Sequence, residues 1–163
     1  MLKSRPIVAE DIVKIFNKPW YATAEDIVAN DLDILPKKEL YNKILIEYSE
    51  HLGLAIYDSE QPDKTLIILG ARPQENEQDI WWTWFFAAYD FQERWRELTA
   101  FTKEIFEEQA ILKGAKEVRA YSPQGNKPEG VYWFKKLGFH KVQDFVITMN
   151  NGYNIYMFQR FFN

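Results

Sequence analysis

The sequence predicts one soluble α/β domain spanning residues 1–163, with helices first, then three strands, a long helix, a strand, a helix and a two-strand hairpin. Stretches with apolar residues at helical spacing alternate with short strand-like runs bounded by polar turns. A chain of 163 residues with 47% apolar content is the size of one domain able to bury its own core. An aromatic share of 17%, from six Trp, nine Tyr and twelve Phe, supplies that core with large side chains. The same surplus also suits a protein interface, where Trp and Tyr are favoured.

The elements follow in order. Ala9-Glu10-Asp11 leads into Ile12, Val13, Ile15 and Phe16, an amphipathic helix with acids in its first turn, ended by Asn17-Lys18-Pro19-Trp20. A second short helix covers Thr23 to Ala29, with Thr23 as N-cap and Asp26 at the capping-box spacing. Pro36-Lys37-Lys38-Glu39 opens a third, to about Glu50, on Leu40, Ile44, Leu45 and Tyr48. Strands are expected at Leu52 to Tyr57, Thr65 to Arg72 and Ile80 to Ala87, as antiparallel hairpins joined by polar loops. In the last, alternation puts Trp81, Thr83 and Phe85 on one face and Trp82, Trp84 and Phe86 on the other, both largely apolar, as in a central strand covered on each side.

Phe91, Trp95, Leu98, Phe101, Ile105 and Phe106 mark a long helix from about Phe91 to Lys113, stopped by Gly114. Glu117 to Tyr121 is a strand and Pro128 to Leu137 a helix stopped by Gly138. The strands Phe139 to Met149 and Tyr153 to Phe161 are joined by Asn150-Asn151-Gly152, and Asn-Gly is a strong hairpin signal.

Composition excludes several chemistries. Without Cys there are no disulfides, thiolate metal sites or thiol nucleophiles, and two His, His51 and His140, do not make a metal centre. His51 is expected to serve the end of its helix and His140 to sit exposed on a strand. A net charge of −4 carries no electrostatic footprint for nucleic acid, so direct nucleic-acid binding is not expected. With no long apolar stretch behind it, Met1 to Pro6 is not expected to be a signal peptide, and the longest apolar run, Ile80 to Tyr89 broken by Thr83, is too short to span a membrane. The expected location is cytoplasmic.

Trp133-Phe134-Lys135-Lys136-Leu137-Gly138-Phe139 resembles the Tyr-x-Lys-x-Gly-Phe helix ending of the GNAT acetyltransferase superfamily, and the element order matches that fold. The resemblance implies a mixed, mainly antiparallel sheet of about six to seven strands flanked by helices. Asn126 resembles the family's cofactor-contacting Asn, one residue further from the glycine than usual. In the family, a Gln/Arg-x-x-Gly-x-Gly/Ala loop between the fourth strand and the long helix holds the pyrophosphate on backbone N–H groups. Here the junction Ala87-Ala88-Tyr89-Asp90-Phe91-Gln92-Glu93-Arg94 contains no Gly. Asp90 and Glu93 are expected to cap the helix themselves and to repel a pyrophosphate.

The family's general-acid Tyr aligns with Phe134, which has no proton to give, and Tyr132 points to a different face. Glu104, Glu107 and Glu108 read as a charged outer helix face. Ser122-Pro123-Gln124-Gly125 reads as a turn and not a nucleophile elbow, so no catalytic residue is assigned.

The leading expectation is therefore a GNAT-like protein that has lost acetyl transfer, needs no cofactor and binds other proteins. Ile80 to Phe86, Phe91 to Lys113 and Tyr153 to Phe161 resemble the pattern of small GNAT-like proteins of short-tailed phages. That resemblance implies a minor or internal virion protein, assembled in the infected host's cytoplasm, with Phe158, Phe161 and Phe162 as docking contacts. The alternative is an active N-acyltransferase holding acetyl-CoA through Tyr89, Asp90, Phe91, Gln92 and Asn126, with a β-bulge in the fourth strand and the amine entering near the loop before Pro36. A sensor binding some other small molecule in the remnant cleft is a third reading.

Overall fold

Seven strands form one sheet in the order β1-β2-β3-β4-β5-β7-β6, in a computed structural model that describes residues 1–162. The strands are β1 (Leu2–Pro6), β2 (Leu52–Asp58), β3 (Gln61–Pro73), β4 (Ile80–Ala87), β5 (Glu117–Ser122), β6 (His140–Thr148) and β7 (Asn154–Phe161). The helices are α1 (Ala9–Asn17), α2 (Tyr21–Ala29), α3 (Lys37–Tyr48), α4 (Trp95–Leu112) and α5 (Pro128–Lys136). Every neighbouring pair of strands is antiparallel except β4 and β5. The mixed sheet flanked by helices is the expected fold class.

One strand was not expected. Leu2–Pro6 pairs with β2, from Leu2↔Asp58 to Pro6↔Leu54, and this places an antiparallel edge strand before the first helix. Arg5 fixes it by donating two 2.6 Å bonds to Asp11, whose carboxylate also accepts from Val8 N–H and the Thr65 hydroxyl.

The core has two layers, one on each face of the sheet. On one face, Trp81 and Phe85 of β4 meet α4, α5 and β7; Phe85 lies edge-on to Phe106 at 5.2 Å and to Phe139 at 5.9 Å, and Phe134 stacks on Phe158 at 4.0 Å. On the other, Phe86 and partly buried Trp84 meet Ile12, Ile15, Ile44 and Tyr48 of α1 and α3. The alternation expected along β4 is observed, but Trp82 is 40% exposed while its neighbour Trp81 is buried.

Two glycines are dictated by geometry. Gly138 ends α5 at φ 97°, a backbone angle only glycine adopts freely, and a Cβ there would also lie 2.6 Å from the Arg160 guanidinium. At Gly70 of β3, a Cβ would sit 2.5 Å from the Trp84 indole.

Several boundaries differ from expectation. The polar stretch after Asp58 is a tight turn, so β3 starts at Gln61 and not at Thr65. The long helix begins at Trp95, because Phe91–Arg94 forms a 3₁₀ turn in which Phe91 N–H bonds to Ala88 O and Glu93 N–H to Asp90 O. Of the tail residues expected to dock, Phe158 is fully buried, since β7 is an inner strand between β5 and β6, while Phe161 is 56% exposed. His140 lies exposed against the Phe161 ring, and His51 follows α3 with its N–H on Tyr48 O. Glu104 and Glu108 lie on the outer face, and Glu107 is bonded by Arg160 at 2.9 Å. Phe85→Ala should lower unfolding stability by about 3–5 kcal/mol in urea titration, whereas Phe161→Ala should change it by about 0.5 kcal/mol or less.

Candidate functional site

The parallel pairing of β4 with β5 covers only Ile80↔Glu117 to Thr83↔Ala120. Beyond Thr83 the two strands part, leaving a gap between Trp84–Ala87 and Tyr121–Ser122 whose backbone groups need other partners.

The chain fills the β4 side with its own segment 18–23. Trp20 N–H donates to Ala87 O at 2.9 Å, Ala87 N–H donates to Thr23 Oγ1 at 2.8 Å, and Pro19 bridges Ala88. Tyr89 N–H then donates to Lys18 O at 2.9 Å. These bonds correct the expected cap: α2 starts at Tyr21 with Trp20 as N-cap residue, and Thr23 lies inside the helix and serves β4 instead.

Trp20 is held by rings. Its indole lies 4.6 Å from Phe91 and 5.5 Å from Trp133, and those two rings are 5.5 Å apart. Its indole N–H is buried without an acceptor, so packing alone positions the ring. Outside this trio, a groove of about 350 Å³ runs between the start of α4 and α5, walled by Tyr21, Trp95 and Tyr132 with Gln92, Gln124 and Glu129.

On the β5 side, Ser122 and α2 meet. Ser122 Oγ donates to Asp26 Oδ1 at 2.6 Å and accepts from Gln124 N–H, while Gln124 Nε2 reaches Ala22 O at 3.4 Å. Asp26 thus lies in a second cavity of about 190 Å³ with Tyr48, Trp84, Phe86 and Tyr121 on its walls, and is no capping-box residue. Burial pushes its carboxyl up to about 8, against the opposing Ser122 bond and with a smaller push from Glu25.

The residues expected to hold acetyl-CoA are only partly brought together. Phe91 is buried, and Gln92 reaches the groove. The backbone N–H groups of Tyr89 and Phe91 are both bonded within the protein. Asp90 caps nothing with its side chain and pairs instead with Lys64. Asn126 is exposed at the end of a 3₁₀ turn, outside the groove lining. β4 pairs with β3 without a register shift from Ile67↔Ala87 to Pro73↔Trp81, so the expected bulge is not formed there. Phe134 is buried and Tyr132 half-exposed beside Trp95, so neither presents a proton donor to the gap between the strands. These residues fit an acetyl-CoA pyrophosphate poorly: the N–H groups of Tyr89, Phe91 and Glu93 are bonded within the protein, the junction lacks glycine and its charged groups include Asp90 and Glu93. Among the described residues there is no cluster able to hold a metal ion and no helix long and apolar enough to cross a membrane.

Sequence reasoning missed Trp20, Asp26 and Ser122 as site residues, because their partners lie far along the chain.

No family model and no curated protein matches the chain. Solved structures do. A GNAT-family acetyltransferase from Streptococcus pneumoniae superposes with TM-score 0.65 over 100% of both chains at 13% identity. A GNAT-superfamily phosphinothricin acetyltransferase from Sinorhizobium meliloti, solved with AcCoA, gives TM-score 0.66 over 99% of this chain and 89% of that one at 14% identity. An aminoglycoside acetyltransferase solved with coenzyme A gives 0.66 over 99% and 95% at 10% identity. The protein therefore has the fold of GNAT acetyltransferases.

Because the Asp26 carboxyl is raised when folded, its stabilising protonated state is fully present below the unfolded value of 3.8 and is lost as pH rises through about 8. Asp26→Asn should therefore gain on the wild type across that window by up to about 1.4 kcal/mol per pH unit in chemical denaturation. A stability difference that does not change with pH would mean that Asp26 is ionised throughout.

Proposed function

We propose that this GNAT-fold protein does not transfer acetyl groups and works by binding other proteins. The observation that carries the reading is the occupied edge of β4: Trp20 N–H and Thr23 Oγ1 take both backbone groups of Ala87, and the Trp20 ring packs against Phe91 and Trp133. A cofactor arm entering between β4 and β5 would have to displace those bonds and an aromatic cluster together. Exposed Trp82, Ile147 and Phe161 on the sheet support the docking role.

The narrower form of the proposal is a minor or internal protein of a short-tailed phage, assembled in the host cytoplasm. The aromatic-rich strand and long helix support it. Mass spectrometry of gradient-purified particles tests it: a virion component stays with the particles, and a free host protein does not.

The second reading is an active N-acyltransferase. Asp26 favours it, since a buried carboxyl that changes charge near pH 8 suits proton exchange with an amine in the cavity beside Trp84.

Titration calorimetry separates the two readings. Acetyl-CoA, with coenzyme A as comparison, is expected to give neither heat nor a thermal shift up to millimolar concentration. Saturable binding in the micromolar range would overturn the non-catalytic reading and direct attention to amine substrates.

A further inference from the structure

The groove between the start of α4 and α5 has a lining that the non-catalytic reading leaves unused. Tyr21 and Tyr132 stand half-exposed at its mouth, partly buried Trp95 forms a wall, and Trp20 closes its inner side. The polar groups are two uncharged amides, Gln92 and Gln124, and one carboxylate, Glu129. No Lys or Arg lines it. Lys127, the nearest cation in sequence, is taken by Glu25, and among the described residues Glu129 has no ion-pair or hydrogen-bond partner.

Glu129 stands in the first turn of α5, where an acid meets the positive end of the helix, and that alone would account for its type. It does not account for the rings. Aromatic faces attract cations through their negative quadrupole, and an adjacent unpaired carboxylate adds charge attraction. The protein's own cations already lie over two of these rings: the Arg96 guanidinium is 5.4 Å from the Trp95 ring centre and the Lys136 ammonium 5.3 Å from that of Tyr132.

From this lining we infer that the groove binds a small organic cation, an alkylated ammonium group enclosed by Tyr21, Trp95 and Tyr132 and balanced by Glu129. A volume of about 350 Å³ accommodates such a headgroup with a short substituent. The charge preference is opposite to that of a site for an anionic nucleotide cofactor. The inference rests on the lining of the groove and not on lost catalysis.

The test uses choline and its uncharged carbon isostere 3,3-dimethyl-1-butanol, followed by tryptophan fluorescence and by the indole N–H signals in NMR. The full chain is expected to bind choline about tenfold or more tightly than the isostere. Glu129→Gln and Tyr132→Ala, each checked for an unchanged circular dichroism spectrum, should each reduce that preference, and Glu104→Gln on the outer face of α4 should not. Equal binding of both probes, no saturable choline binding at tens of millimolar, or a preference that survives Glu129→Gln would each overturn the inference. Acetyl-CoA added in competition keeps the two claims apart. If it displaces choline, the non-catalytic reading fails while the cation preference stands.

Discussion

Past Thr83 the edge of β4 that faces β5 has no strand beside it, and the need to satisfy its N–H and C=O groups shapes this side of the molecule. Water would serve at a surface, but Ala87 is fully buried. The partners come from the α1–α2 connection, which enters the gap as a single bridge at Pro19 and then turns into α2. That route brings Trp20 against Phe91 and Trp133. It also turns Thr23 toward β4 and carries Asp26 across to Ser122. The connection and the first turn of α2 thus supply backbone partners to β4, while the same helix reaches the Ser122 hydroxyl of β5 through Asp26.

The same constraint explains the entry to α4. Ala88 turns its N–H to Leu66 O and its C=O to Phe91 N–H, while Tyr89 is tied to Lys18. With the chain pinned at these points, the first turn after β4 closes as a 3₁₀ turn, and the α-helix proper begins at Trp95. Periodicity starting at Phe91 was readable because Phe91 does face the core. The tighter winding between Phe91 and Arg94 was not, since it follows from hydrogen bonds to residues distant in sequence.

What was legible in the sequence was whatever local pattern determines. The runs of β2 to β5, the helical spacing through Phe106 and the Gly138 stop all carry their signals within a few residues. β1 was not legible, because Leu2-Lys3-Ser4-Arg5-Pro6 has one large apolar residue and becomes a strand by pairing with β2. Phe158 and Phe161 show the same limit. Alternation puts them on opposite faces of β7, but only the packing of α5 over one face buries Phe158 against Phe134. The candidate site was the least legible part: Thr23 meets a partner 64 residues away and Asp26 one 96 residues away. Over short range both residues resemble ordinary cap residues.

The absent glycines therefore describe only part of the departure from an anion-binding loop. Glycine matters there because it lets backbone N–H groups approach a phosphate, and this has value only when those groups are free. Here the N–H groups of Tyr89 and Phe91 already have carbonyl partners, and the space beside them holds Phe91 and Trp20. The carboxylate of Asp90 lies at the same turn, engaged with Lys64. Placing glycines at the junction would remove side chains without releasing the N–H groups of Tyr89 and Phe91 from their carbonyl partners. The loop, the α1–α2 connection and the aromatic trio form one alternative solution to closing the gap between β4 and β5, and none of them accounts for the site alone.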